Sequence, residues 1–528
     1  MGKMIVYQML PRLWGNGCQS PVRGGSLLEN GTGKFRNIDS ETLSFLRDGL
    51  GVSHVWYTGV IRHATTVPFE GCLASNPMVV KGKAGSPYAI TDYYDVNPYL
   101  ADNPEDRMSE FESLLNRTHD AGMKVLIDFV SNHVSRDYGK AGMTQAPGRP
   151  PVLGSTDDCS VHWCPGNDFF YYPGQPLILP VPWNSVTAAS PFYENPAKAS
   201  GNCFSPSPGF NDWYETIRLN YCDFPTPTWD RMLDIVRFWC SKGVDGFRCD
   251  MVEMVPWQFM KWLIARIKED YPEVIFIAEV YRKELYRHYV ENVGFDFLYD
   301  KSGLYDTLRG IASGNGDARG ITWNWQALGN LQPKMLNFLE NHDEQRFASP
   351  YFGSSACRTG AFLCASMLFN TSPFMIYSGE EVGEAGMEAE GFSGTDGRTT
   401  IFDWWSVGSL RRLYDYVHTG EGLEIKEAAC LRAFKKAAGL AQGAASGKTF
   451  DLCYCNQDSP GFDPGKHFAF LRGGNGSAAL FVANFSSEDA FMYLRIPAEA
   501  MEFMGVKKTE TSFKDVSVNA WDYSALPV

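Results

Sequence analysis

An α/β fold is predicted, built as a closed (β/α)₈ TIM barrel with a small inserted domain after the third strand and a C-terminal antiparallel β-sandwich. Three observations predict it. Eight short runs of β-branched and aromatic residues recur along the chain, and segments of helical period separate them, the pattern of βα units around a parallel sheet. In one place that pattern gives way to a long stretch rich in Pro, Gly, Ser and aromatics. In another, near the end, alternating segments follow one another without intervening helices. At 528 residues with 44% hydrophobic composition, the chain can bury a large core and divides into two or three domains.

The first run is IVYQML from Ile5; the apolar stretch it belongs to is too short for a signal sequence and reads as a strand. The second is VSHVWYTGV from Val52. Between it and the third, PEDRMSEFESLLNRTHDAG sets Met108, Phe111, Leu114, Leu115 and Thr118 on one helical face, with Pro104 near the start and Gly122 at the end. That helix packs on the barrel. The third run is KVLIDFV from Lys124, and after it residues 134–214 are too long and too irregular for a plain βα loop, hence the inserted domain. GFRCDM from Gly246, IFIAEVY from Ile275, FDFLYD from Phe295, MLNFLEN from Met335 and FMIYSGEE from Phe374 complete the eight. From residue 428 onward, HFAFLR and AALFVANF alternate without helices between them, giving the closing β-domain. The expected division is therefore 1–133 with 215–427 for the barrel, 134–214 for the insertion and 428–528 for the β-sandwich.

A net charge of -14 with scattered basic residues disfavours nucleic acid and anionic membranes as partners and suits a neutral polymer. No apolar run reaches the roughly 18 residues of a membrane span. The 13 cysteines are an odd number without paired CxxC spacing, which points to buried thiols in a reduced compartment, a Cys159–Cys164 disulfide being the one pairing left open. A cytoplasmic location and a monomer or weak oligomer are the matching expectations.

Barrel enzymes carry their chemistry at the C-terminal ends of the strands. The third run ends in Asp128 with Asn132 and His133, the fourth in Arg248 and Asp250, the fifth in Glu279, and the seventh in Asn341, His342 and Asp343. One acid at a strand end is usually a cap or an ion pair. Several converging on one mouth, with two histidines and an arginine, fit glycosidic cleavage, where one carboxyl protonates the leaving oxygen and another attacks or stabilises an oxocarbenium-like centre. Arg248 lies two residues before Asp250, so both point to one face, and its charge is expected to hold Asp250 ionised as a nucleophile. Glu279 is expected to be kept protonated by the negative charges of Asp250 and Asp343.

At these residues the sequence resembles the α-amylase family of glycoside hydrolases, through DFVSNH, GFRCD, FIAEV and FLENHD in the family's order, together with PYAITDYYDVNP after the second strand. The resemblance covers nearly the whole chain and implies a three-domain retaining enzyme. It implies Asp250 as nucleophile, Glu279 as acid/base and Asp343 as the acid that fixes the distorted sugar. His133 and His342 would bind that sugar's hydroxyls, and Tyr88 would lie beneath its ring.

Three departures narrow what the resemblance implies. Many members follow the nucleophile with a Lys-His pair, the Lys binding the leaving-side sugar and the His carbonyl binding calcium; Glu253 and Met254 stand here. The calcium-binding segment usually reads LPDLN and here reads TIRLN, with Arg218 where an acidic ligand would be. A guanidinium repels a cation, so no cofactor is expected, Arg218 replaces the ion, and Asn132 is a remnant of the site. Ala89 follows Tyr88 where exo-acting α-glucosidases carry an Asp, which favours an open cleft. The expected activity is hydrolysis of α-1,4 bonds, with α-1,6 bonds as a variant, in starch or maltooligosaccharides. A transglycosylase or sucrose- or trehalose-type enzyme uses the same trio, and a non-catalytic glucan-binding relative would have lost an acid.

Overall fold

The computed structural model describes residues 2–139, 150–180, 191–391 and 394–506. Eight parallel strands close into a barrel: β1 (Ile5–Met9), β2 (His54–Tyr57), β3 (Lys124–Val130), β4 (Gly246–Asp250), β5 (Ile275–Ala278), β6 (Phe297–Tyr299), β7 (Met335–Phe338) and β8 (Phe374–Tyr377). All eight lie within the predicted runs. Each strand neighbours the next in sequence and β8 closes on β1. Every residue of β1, β4, β7 and β8 is buried, as in a parallel sheet covered on both faces, and this explains why the runs read as nearly continuous apolar segments.

The outer helices form where the apolar period is helical. In α1 (Arg107–Asp120), Phe111, Leu114, Leu115 and Thr118 are buried and Met108 is half-buried, and the chain leaves through Gly122 at φ +78°, a left-handed position that suits glycine. α2 (Pro227–Ser241) opens with Pro at its first turn and buries Trp229, Met232, Val236 and Trp239.

Register places the chemistry. Arg248 of β4 sits beside Asp128 of β3, and Cys249 beside Ala278 of β5, so the side chains that end these strands open onto one rim. After β3 the chain leaves the barrel as His133–Ser135 and returns antiparallel to it as Thr216–Arg218, a two-stranded neck for the inserted segment. Above the neck, Arg136 is fully buried and pairs with Glu194 at 2.7 Å and Ser200 at 2.9 Å. Phe169 and Tyr171 of the insertion are buried there.

The expected boundary near residue 428 falls inside a helix, α3 (Ile425–Gln442), whose buried face packs on the barrel segments around Glu380–Val382 and Cys364–Leu368. Beyond it, Lys448–Asp451, His467–Gly474 and Ser477–Asn484 form one three-stranded antiparallel sheet, docked on the barrel through Phe369 against Phe468 and Phe470. A second sandwich layer is not among the described residues; the rest of the expected domain, residues 507–528, lies outside them. All thirteen cysteines are free. No helix among the described residues is long and apolar enough to cross a membrane.

Candidate active site

A cavity of about 350 Å³ opens at the C-terminal rim of the barrel. Asp250, Glu279, Asp343, Tyr88 and His133 line it, five of the seven residues singled out from sequence. Arg248 and His342, the other two, stand directly behind them, 1% and 4% exposed.

Arg248 organises the site. Its Nη1 donates to Asp250 Oδ1 at 2.6 Å, its Nη2 lies 2.8 Å from Glu279 Oε1, and Asp128 Oδ1 is 3.7 Å from Nη1. Trp56 Nε1 donates to the other Asp128 oxygen at 3.1 Å. Asp250 and Glu279 are thus held on one guanidinium, the first at Nη1 and the second at Nη2.

The electrostatics differ from the sequence expectation in their main cause. Burial pushes the Asp250 carboxyl up and Arg248 pulls against it, so the guanidinium offsets a desolvation cost that sequence cannot show. Glu279 is likewise raised, first by burial, with Arg248 opposing and Asp250 adding. Asp343 rises through burial and then the Glu279 charge, moderated by solvent that reaches 44% of its side chain in the cleft. Two buried carboxyls on one guanidinium share a proton more readily than they both ionise.

The histidines are neutral. Burial carries His133 down to about 3 and His342 well below its ordinary value. Gln8 Nε2 lies 2.7 Å from His342 Nδ1, and Tyr88 stacks on the His342 ring with its hydroxyl at Nε2. His133 packs on Trp213 at 5.1 Å between ring centres. Asn341 Oδ1 accepts the N–H groups of Asp343 and Glu344, both at 2.9 Å, which fixes the turn that presents Asp343. From the loop after β8, Arg398 Nε donates to the Asp343 carbonyl at 2.8 Å and pairs with Asp396.

Among the other residues that line the cavity are Lys81, Trp213, Glu215 and Tyr281, none of them singled out from sequence. The first three come from the segment after β2 and the end of the insertion, where no period or motif marks them. Tyr281 carried a usable signal, lying two residues beyond Glu279 in the same extended run.

The family's calcium position does not fit a cation. Arg218 Nη1 donates to the Gly201 carbonyl at 2.9 Å and Nη2 to the Met254 carbonyl at 2.8 Å, while the guanidinium lies over the Phe204 ring. Asn132 Nδ2 donates to the same Gly201 carbonyl at 3.0 Å, and its Oδ1 is buried without a partner among the described residues. The Gly201 and Met254 carbonyls thus face a fixed positive charge.

Comparison with known proteins bears on the family and the fold. The family profile described as "Alpha amylase, catalytic domain" matches residues 26–148 and 226–404, more than half of the chain. "Alpha-amylase 3" of Dictyoglomus thermophilum is 25% identical over 317 residues, covering 57% of this chain and 55% of that protein. The cyclomaltodextrinase of Thermoanaerobacter pseudethanolicus is 22% identical over 399 residues, covering 72% of this chain and 58% of that protein. The chain spans about half the length of the curated relatives it matches. Among solved structures, the α-amylase of Geobacillus thermoleovorans complexed with acarbose superposes with a TM-score of 0.59 at 16% identity, covering 92% of this chain and 87% of that one. The γ-CGTase of Bacillus clarkii superposes at 0.60 and 19% identity, covering 93% and 63%. At these identities the structural likeness speaks to the fold alone.

Proposed function

The chain belongs to the α-amylase family of glycoside hydrolases, and from that premise we propose that it is a retaining glycosidase that cleaves α-1,4-glucosidic bonds in starch-like glucans or maltooligosaccharides. The observation that carries this reading is the pair of carboxyls, Asp250 and Glu279, held by one guanidinium and both lining the cavity. Asp250 attacks the anomeric carbon as the glycosidic C–O bond breaks, and the departing oxygen takes the proton of Glu279. Glu279, now a carboxylate, takes a proton from water, whose oxygen displaces Asp250 from the sugar. Retention of the α configuration follows from two inversions.

Asp343 lines the same cavity and suits a bidentate grip on sugar hydroxyls. The neutral His133, also on the cavity wall, offers a hydrogen bond to a bound sugar without carrying charge to an oxocarbenium-like centre. Tyr88, braced by His342, offers the ring face on which an apolar sugar face stacks. Water and a second sugar compete for the same covalent intermediate, so transfer is an outcome of the same chemistry. Arg218 ties the insertion to the barrel in place of a metal, and the fold and activity are proposed to need no calcium.

The test is product analysis by chromatography and anomeric NMR with soluble starch, maltoheptaose, pullulan and a cyclodextrin, with Asp250→Asn as control. Early α-anomeric products that vanish in the variant are expected. Early β-anomers, or equal turnover by Asp250→Asn, would overturn the reading, and longer saccharides in place of reducing ends would assign transfer.

A further inference from the structure

Tyr281 lies on the cavity wall, and its hydroxyl donates to Glu279 Oε1 at 2.7 Å. The other carboxyl oxygen accepts the Met251 backbone N–H at 2.9 Å. Met251 holds φ +46° and ψ +44°, a left-handed conformation that a residue with a Cβ adopts only when its surroundings impose it. With one donor on each oxygen the carboxyl plane is fixed. A proton donor to a substrate oxygen depends on that orientation.

Tyr281 is itself tied down from across the cleft floor. Glu253, in the turn that follows β4, accepts the Tyr281 N–H at 2.9 Å through Oε2 and Arg282 Nε at 2.8 Å through Oε1. Its side chain is only 14% exposed. The segment leaving Glu279 is thereby clamped to the segment leaving Asp250. At Glu253, where other members present a lysine, the side chain turns to the protein.

We propose that Tyr281 is a positioning residue that orients the Glu279 carboxyl for proton transfer, and that Glu253 is the strut that holds Tyr281 in register. The proposal rests on the reading of Glu279 as acid/base. The charged and titratable groups around Glu279 are Arg248 and Asp250 from β4, Tyr281 itself, Tyr299 from β6 and Asp343 after β7. Burial and the Glu279 charge raise the Tyr281 phenol, so it remains a donor across the working range. Its hydrogen bond favours the carboxylate form of Glu279, so removing the hydroxyl raises the Glu279 pKa.

The experiment compares wild type with Tyr281→Phe and Glu253→Ala on maltoheptaose, whose leaving group needs a proton, and on α-maltosyl fluoride, whose leaving group does not. Tyr281→Phe is expected to lose about tenfold or more in kcat/KM on maltoheptaose, within the range general acid catalysis supplies, and to stay within about twofold on the fluoride. The alkaline limb of its kcat/KM profile moves to higher pH, and Glu253→Ala moves it the same way by less, with Glu253→Gln returning toward wild type. Equal losses on both substrates with an unmoved alkaline limb mean a merely structural tyrosine and overturn the proposal. A ¹³C NMR titration of glutamate-labelled protein, assigned with Glu279→Gln, reads the Glu279 carboxyl without substrate. An unmoved titration in Tyr281→Phe overturns the proposal by itself, and a moved titration in an enzyme that cleaves no α-glucan supports it while counting against the proposed reaction.

Discussion

Two of the arginines buried among carboxylates, Arg346 and Arg248, are satisfied to different degrees. Arg346, in the turn after β7, has an acceptor for each side-chain nitrogen: Thr399 Oγ1 for Nε, Glu340 Oε2 for Nη1 and the Ser378 carbonyl for Nη2, all at 2.9 Å. Its guanidinium also lies 3.9 Å from the centre of the Tyr377 ring. Arg248 has one well-formed hydrogen bond, to Asp250; its Nη2 meets Glu279 without hydrogen-bond alignment, and Nε has no partner among the described residues. The acids around Arg346 face protein, whereas those around Arg248 face a cavity. Arg346 is fixed through every nitrogen, whereas Arg248 is held chiefly by the acids that line the cavity.

The comparison breaks most visibly in paired substitutions. Asp250→Asn is expected to lower kcat on the order of 10⁴-fold or more, the scale on which covalent catalysts lose a nucleophile, with a melting temperature unchanged or raised because a buried charge has gone. Glu340→Ala is expected to do the reverse. It strands Arg346 and costs about 3–5 kcal/mol of stability, while kcat/KM of the folded fraction stays within about twofold. Calorimetry and kinetics on the two variants check both halves, and a Glu340→Ala protein that melts normally but does not turn over would erase the distinction.

The same contrast explains how far sequence reading reaches. The eight strands were legible because a parallel sheet covered on both faces demands unbroken apolar runs, and the helix over 107–120 because one face repeats every three to four residues. Asp250, Glu279 and Asp343 were legible because they end those runs at set positions. Trp213, Glu215 and Lys81 were not, since the folding of the insertion, and no local period, carries them to the cavity wall. Nor was the balance at Asp250 legible: the charge of Arg248 is read from its letter, but the burial it opposes is a property of the closed barrel.

Arg218 offers a smaller perturbation at the junction of insertion and barrel. Its two hydrogen bonds to the Gly201 and Met254 carbonyls are charge-assisted, so Arg218→Met is expected to cost about 3 kcal/mol. EDTA is expected to leave the wild-type melting temperature where it was. Arg218→Asp restores an acidic group facing the same carbonyls, and its melting temperature is expected to rise with added calcium and fall with chelator. A wild-type protein that EDTA destabilises and calcium rescues would overturn the substitution of guanidinium for metal.

The smallest expected effect sharpens the comparison through pH. Glu381 belongs to the closed cluster: Tyr7 donates to one oxygen at 2.5 Å and the Gly379 N–H to the other at 2.9 Å, and burial pushes its carboxyl up to about 7. The folded-state value lies above the unfolded one, so the folded protein binds the proton more tightly. The stability linked to it is complete below the unfolded value, about 4.3, and is lost as pH rises through about 7. Between about pH 5.5 and 7.5 this one group removes about 2 kcal/mol by linkage. When Glu381 is protonated it can return a hydrogen bond to Tyr7, whose hydroxyl then turns to Ser378 Oγ at 3.1 Å, so the neutral form is fully accommodated. Glu381→Gln mimics that form and should flatten the stability-versus-pH curve by about this amount over the same interval, with the other buried acids still contributing their own slope. Denaturant titrations of both proteins at several pH values measure it. An unchanged slope would mean that Glu381 is ionised in the closed cluster, and that the two arginines do not differ in how their acids carry protons.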